Sequence, residues 1–399
     1  MTRKSVIIIS IIALSALIGV IFLSCGRGKP LSKMGPAQYA GSQSCAECHS
    51  RIAVTFRNTL HSQIIQDARQ HPSAIQGDFV IPNDLRDFTK DDVALTHGIQ
   101  WKQRYIDKEW RVRRAQWNFE TATWAPYNFD TWKKSDWRKE CAYCHTVGFD
   151  LQKLTWSELS IGCESCHGPG SNHIKARLED KHASILNPAT LPRRAASDIC
   201  GQCHTRGKSP DGTWDFPVGF KVGDYLGSQH FKVVNKSNTE AWWPSGHVKQ
   251  HRQQYPEWME STHARAGIGC PTCHSVHEAK TKFATAMNPN NLCLSCHGNI
   301  STDPLRGHAP IARAPQHSDC IGCHMSPTGK SATRGDERTH QFRTIPPKVT
   351  MARGGGNPEK QPNSCNHCHA HKNQKPEYLQ KALDDGKKLL SVRFGSIAN

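Results

Sequence analysis

Apolar residues recur with a readable period in only a few places along this chain. Behind Thr2, Arg3 and Lys4 a mostly apolar stretch runs from Val6 to Leu23. That is the basic n-region and apolar h-region of an export signal, and it is also just long enough to span a bilayer if it stays attached. From Gln100 to Val112 the strand-formers Trp101, Tyr105, Ile106, Trp110 and Val112 flank polar Asp107, Lys108 and Glu109, which predicts a hairpin. Leu379, Leu383, Leu389 and Leu390 fall at helical spacing behind Pro376 and predict a terminal helix over 376–399. Met351 to Pro358, with three consecutive glycines, predicts a flexible loop. Elsewhere the pattern supports only short helices.

Composition explains why regular structure is scarce. Only 37% of the residues are hydrophobic, against about 45–50% in ordinary globular chains, so a core of protein side chains alone would be thin. The 17 cysteines are too many for a reduced cytosolic enzyme and too regularly placed for a loose disulfide scaffold. Sixteen of them fall into eight Cys-x-x-Cys-His motifs, numbered one to eight in chain order. They are Cys45–Cys48–His49, Cys141–Cys144–His145, Cys163–Cys166–His167, Cys200–Cys203–His204, Cys270–Cys273–His274, Cys293–Cys296–His297, Cys320–Cys323–His324 and Cys365–Cys368–His369. Two thiols three residues apart on one turn add to the two vinyl groups of a c-type haem, and the next residue offers an imidazole to the iron. Zinc ribbons do not require a histidine after every second cysteine, and thioredoxin-like pairs occur once per domain. The expected cofactors are therefore eight covalent haems, whose porphyrins replace the missing apolar core.

Haem also changes the meaning of the formal charge of +17. An excess of this size normally points to nucleic acid or anionic lipid. Eight haems bring sixteen propionates, which offset nearly all of it, so no nucleic-acid partner is expected.

The first cysteines are separated by 96, 22, 37, 70, 23, 27 and 45 residues, which groups motifs two to four and five to seven. The organisation read from this is a signal or anchor over 1–24, a linker over 25–38, a four-haem module over 39–206, a haem-poor connection over 207–262, a second four-haem module over 263–375 and the helix over 376–399. An insert near 75–137 carries Trp117, Trp124, Tyr127, Trp132 and Trp137. A small β-subdomain packing on haem faces is preferred there over a substrate or docking surface. Cys25, which belongs to no motif, follows Ile21, Phe22, Leu23 and Ser24. This resembles the bacterial lipoprotein cleavage box, with Phe22 where leucine is usual. Lipidated Cys25 is preferred over an uncleaved anchor and over ordinary cleavage. Either attachment confines the protein to a membrane surface, and the expected location is periplasmic or outer-membrane-associated.

The 23 histidines leave fifteen for the opposite faces of eight irons once the proximal eight are assigned. Five methionines remain after processing, Met34, Met259, Met287, Met325 and Met351, so most haems are expected to be bis-histidine and low in potential. Gly162 through His173, which reads Cys163, Cys166, His167, Gly168, Pro169, Gly170 and then His173, resembles the signature of the cytochrome c-554-like multihaem family. The stretch Tyr39 to His49, with His61 twelve residues on, resembles that family's opening motif. Thr96-His97-Gly98, Gly223 to Tyr225, His263 to Gly267, His274 to His277 and His340 to Arg343 resemble the members often fused to tetratricopeptide repeats; no such repeats follow here. The resemblance implies distal ligation by His173, His61, His263, His277 and His340. His97, His308 and His230 complete the eight, with His247 and His251 as substitutes for the last. It implies a mainly α fold with little regular structure, a multihaem cytochrome c fold organised around packed haems with a small β-rich insert.

Two functions from different classes follow. An electron carrier would link a quinol-side or periplasmic donor to a downstream cytochrome or an outer-membrane acceptor. An octahaem oxidoreductase would act on small nitrogen or sulfur oxyanions at an open iron, which a bis-histidine haem lacks. Octahaem nitrite reductases of the resembling type carry one Cys-x-x-Cys-Lys site, whereas all eight motifs here end in histidine. The hydroxylamine type needs a cross-linked tyrosine, and none of the seven tyrosines stands in such a context. The carrier is preferred. A distal lysine from elsewhere, an oligomer and a filament remain open.

Overall fold

A computed structural model describes residues 28–281, 283–298, 320–368 and 371–394. The Val6–Leu23 stretch, Cys25, His308 and His369 lie outside the described residues. About 33% of the residues are helical and 13% lie in strands, and most helices are one or two turns long. The longest among the described residues is Pro376–Phe394, at the place its leucine spacing predicts. No described helix is long and apolar enough to cross a membrane.

The insert is a five-stranded antiparallel sheet in sequential order, β1 (Ile65–Asp67), β2 (Leu95–His97), β3 (Lys102–Ile106), β4 (Ala115–Asn118) and β5 (Thr123–Pro126). The hairpin expected between Gln100 and Val112 forms around Asp107, whose Oδ1 accepts the backbone N–H groups of Glu109 and Arg111. Its pairing continues outward, with Lys102 opposite Asn118 and Gln103 opposite Trp117. The sheet begins at Ile65, ten residues before the insert boundary read from sequence, because β1 is only three residues long and carries no period to read.

Alternation along β3 sends its side chains to two cores. Tyr105 joins Ala68, Ile75, Phe88, Val93, Ala115 and Trp124 on one face. Ile106 joins Ile65, Leu95, Val112, Trp137 and Ala142 on the other. Ala142 lies inside motif two, so the second face of the sheet is the wall that holds that motif. Buried Gln103 ties the layers together, donating to the carbonyls of Ala74 and Gly98 and accepting from the Gln76 N–H.

The loop expected from Met351 to Pro358 is shorter than its glycines suggest. Pro347–Gly354 is a helix with proline in its first turn, and the chain leaves it through Gly355 and Gly356 at φ of 60° and 78°, the left-handed region in which glycine ends helices. A two-stranded ribbon, β6 (Pro327–Lys330) and β7 (Arg334–Arg338), closes over Asp336, which accepts from the N–H groups of Ser331, Ala332 and Thr333. The Lys102 ammonium reaches the Ser331 carbonyl and joins the sheet to this ribbon.

Candidate functional site

Motifs one to seven sit on or at the end of short helical turns. The N–H of the closing histidine donates to the carbonyl of the first cysteine at 2.9 Å in motifs one, four and six, 3.0 Å in motif five and 3.1 Å in motif three. Positions i, i+3 and i+4 share one face of such a turn, so both thiols and the imidazole point to one side. All sixteen motif cysteines are free thiols, as attachment to haem requires.

These faces line one continuous cavity of about 4370 Å³, with walls drawn from motifs one to seven. A site for one small ligand occupies about 300–1,000 Å³, so this is space for several flat cofactors side by side. Lys102, Arg104, Arg206 and Arg252 also line it, a charge pattern that fits propionates. Burial, with Arg104 beside it, pushes Lys102 down to about 7.

The histidines provide a sharper test of fit. Two imidazoles bound to one metal ion, each through a bond of about 2 Å, hold their ring centroids about 6 Å apart. Among the described residues, five pairs stand at that separation. His49 faces His173 at 6.2 Å, His204 faces His61 at 6.3 Å, His167 faces His277 at 6.2 Å, His297 faces His263 at 6.0 Å and His274 faces His340 at 6.4 Å. Each joins a motif histidine to one of the five distal candidates implied by the family signature. The tautomers suit the role. Nδ1 lies within hydrogen-bond distance of the carbonyls of Leu186 for His167, Lys181 for His173, Phe283 for His274 and Arg338 for His340. A proton placed on Nδ1 leaves the Nε2 lone pair for iron. Burial depresses His61, His173, His204, His263, His274, His277 and His340 toward the neutral, ligating form, with His204 and His340 reaching about 4.

The remaining candidates differ. His97 and His145 stand only 4.2 Å apart, about 2 Å too close to hold an iron between them. The indole N–H of Trp137 donates to His97 Nδ1 at 3.3 Å, which places the imidazole proton on Nε2. His145 is pushed down to about 3 by burial, then by Arg252 and Arg104. His230 has its Nδ1 on the Val218 carbonyl at 3.2 Å and its ring edge-on to Phe220. His247 is buried with Nδ1 on the Ser245 hydroxyl and Nε2 unpaired. His251 is half-buried, and its backbone N–H donates to the Lys330 carbonyl.

Two carboxylates escaped the sequence reading. Glu164, an intervening residue of motif three, is fully buried and accepts the N–H groups of Ala40, Gly41 and Gly170, so it fixes the glycine-rich turn that leads to His173. Glu257, in the haem-poor connection, accepts from the Val248 N–H, the Thr339 hydroxyl and the His340 N–H. Neither position carries a local signal, because most of its partners, Ala40 and Gly41 for Glu164 and Thr339 and His340 for Glu257, are distant in sequence.

The profile of the family described as cytochrome c554 and c-prime matches residues 100–168, and that of the doubled CXXCH motif matches residues 263–302. The chain is a multihaem c-type cytochrome, and its Cys-x-x-Cys-His motifs mark covalently bound c-type haem. It is 26% identical over 215 residues to the cytochrome c nitrite reductase subunit NrfA of Nitratidesulfovibrio vulgaris (strain Hildenborough), a match covering 45% of this chain and 41% of that protein. It is 26% identical over 170 residues to the multiheme cytochrome MtrA of Shewanella baltica (strain OS185), covering 42% and 37%. The match thus spans about two fifths of each curated relative's length. In fold it is similar to the outer cell wall cytochrome OcwA, with a TM-score of 0.71, 23% identity and coverage of 89% and 88%. It is also similar to the undecaheme cytochrome from the S-layer of Carboxydothermus ferrireducens, with a TM-score of 0.52, 19% identity and coverage of 89% and 61%.

Proposed function

We propose that this chain is an octahaem electron carrier of extracytoplasmic respiration, passing electrons between a quinol-side or periplasmic donor and a downstream cytochrome or outer-membrane acceptor. Haem bound at each motif supplies reversible one-electron iron chemistry. The five imidazole pairs at 6.0–6.4 Å are the observation that supports it, because an iron closed on both faces exchanges electrons and binds no substrate. His49, His145, His167, His204, His274, His297, His324 and His369 are the proximal ligands. His61, His173, His263, His277 and His340 are distal ligands, with His97, His230 and His308 as the other candidates. The N-terminal stretch directs export, and lipidated Cys25 holds the protein at a membrane.

A second reading is favoured at one place. At motif two His97 stands too close to His145 to share an iron with it, and Arg104 and Arg252 stand beside His145. An oxidoreductase acting on small nitrogen or sulfur oxyanions would use this site. Carbon monoxide separates the two. The carrier, fully reduced, binds essentially none, with eight haems per chain by pyridine haemochrome assay. About one reactive haem in eight, with saturable turnover of nitrite, hydroxylamine or tetrathionate, would establish the oxidoreductase.

A further inference from the structure

The same pair of contacts joins three different pairs of motifs. Ser42, three residues before Cys45 of motif one, accepts at Oγ the backbone N–H of Cys163, the first cysteine of motif three, at 3.1 Å. Ser197, three residues before Cys200 of motif four, accepts the N–H of Cys270, the first cysteine of motif five, at 3.2 Å. Asn290, three residues before Cys293 of motif six, accepts at Oδ1 the N–H of Cys320, the first cysteine of motif seven, at 2.9 Å. In each pair the two first-cysteine side chains also lie beside each other, Cys45 beside Cys163, Cys200 beside Cys270 and Cys293 beside Cys320. Motifs two and four meet differently, through their second cysteines Cys144 and Cys203.

The capped N–H groups open short helices and have no partner within them. A helix ordinarily supplies its own cap, but Glu164–His167 and Cys270–Cys273 have no side-chain cap of their own. The partner motif provides it. The close approach also fixes the neighbouring residue. A Cβ on Gly162 would stand 2.5 Å from Ser42 Oγ, and one on Gly269 would stand 2.8 Å from Ser197 Oγ, so the short serine arm requires glycine before the partner's cysteine. Motif seven has Asp319 at that position, outside the described residues, and there the cap is asparagine, whose oxygen reaches one bond farther.

We infer that Ser42, Ser197 and Asn290 are positioning residues that lock the haem sites into three edge-facing pairs, one with three, four with five and six with seven, and that these pairs are the steps of the electron path. The inference rests on the carrier reading. Haem attached at the two first cysteines of such a pair would be held with neighbouring edges facing, because the cap brings those cysteines together. Transfer within a pair moves one electron, oxidising one site and reducing the other, with no bond or proton changing hands; a reduced redox protein at one end supplies the electron. The facing imidazoles set the order of pairs. His61, which follows motif one, faces His204 of motif four, and His277, which follows motif five, faces His167 of motif three, so the first pair adjoins the second. His263, which precedes motif five, faces His297 of motif six, so the second adjoins the third. Motif eight continues from Cys323 to Cys368, and motif two branches from motif four.

The test uses the fully matured protein. Iron positions from anomalous scattering should make the irons of motifs one and three mutual nearest neighbours, likewise four and five, and six and seven; any other pairing overturns the inference. Ser42→Ala and Ser197→Ala should keep eight haems per chain and each alter the potentials and electron paramagnetic resonance line shapes of two haems, with Ser42→Thr and Ser197→Thr restoring them. Unchanged potentials and line shapes in both alanine variants would also overturn it. Should an alanine variant fail to mature, the iron positions of the wild type decide. Carbon monoxide reactivity with substrate turnover in the wild type would instead count against the carrier reading and leave the iron pairing to be judged separately.

Discussion

Glu164 occupies a position that the haem motif leaves free, yet it has more buried hydrogen bonds than either neighbouring cysteine. Its carboxylate accepts from the Ala40 N–H at 2.8 Å, the Gly41 N–H at 2.8 Å and the Gly170 N–H at 2.7 Å. Removing one partner from a buried hydrogen bond costs about 1–3 kcal/mol for the group left behind. Glu164→Ala strands three donors at once and should cost about 2–4 kcal/mol after partial relaxation, read as a lower midpoint in thermal unfolding. The same change frees the Gly168–Gly170 turn, so part of the His173 population should leave its iron and a high-spin signal should appear. His173→Ala gives the full effect, one haem in eight converted to high spin and open to added ligands. A low-spin spectrum identical to wild type in His173→Ala would refute the ligand assignment. Glu164→Gln keeps an acceptor oxygen and should fall between wild type and alanine in both readouts.

The sheet and the motifs divide the work of the fold between protein and cofactor. The face of the sheet turned away from motif two is an aromatic core in its own right, with Trp124 in edge contact with Phe79 at 5.2 Å, Trp117 at 5.4 Å and Phe88 at 6.0 Å, and its indole N–H on the Asp78 carbonyl. Trp124→Ala should therefore destabilise the insert by about 3–5 kcal/mol. Hydrogen exchange should accelerate first across residues 65–126, and of the haem sites only motif two, held by the opposite face, should change its spectrum. Loosening at motif five or six instead would mean that the insert is not a separate cooperative unit. The legibility of these elements follows their length. The hairpin at Asp107 and the terminal helix could be read because several apolar residues repeat with one period. β1, with three residues, and the helix ending at Gly354, whose glycines mimic a loop, offered no such repeat.

At the scale of the molecule, the attachment chemistry was legible and the ligand network only in part. Two thiols and an imidazole within five residues are a local code. A pairing such as His61 with His204 or His274 with His340 joins distant segments and has no local code of its own; a family resemblance pointed to the histidines, and only the fold gives their partners. The network also sets how charge behaves. With the eight haems of the proposed carrier, the formal +17 of the chain would be nearly cancelled by sixteen propionates, and each reduction would remove one further positive charge from the shared cavity. Adding an electron to one site therefore makes its neighbour harder to reduce. An isolated one-electron site follows about 59 mV per tenfold change in ratio, so eight interacting sites should titrate over a much wider span in several unresolved steps. Salt shortens the screening length from about 10 Å at 0.1 M to about 3 Å at 1 M, which weakens repulsion between exposed charges but barely reaches charges in contact across a buried wall. Spectroelectrochemical titrations at about 0.05 M and about 1 M salt should accordingly keep most of their width. Collapse toward a single one-electron curve at high salt would show that the sites interact through solvent and are not packed edge to edge.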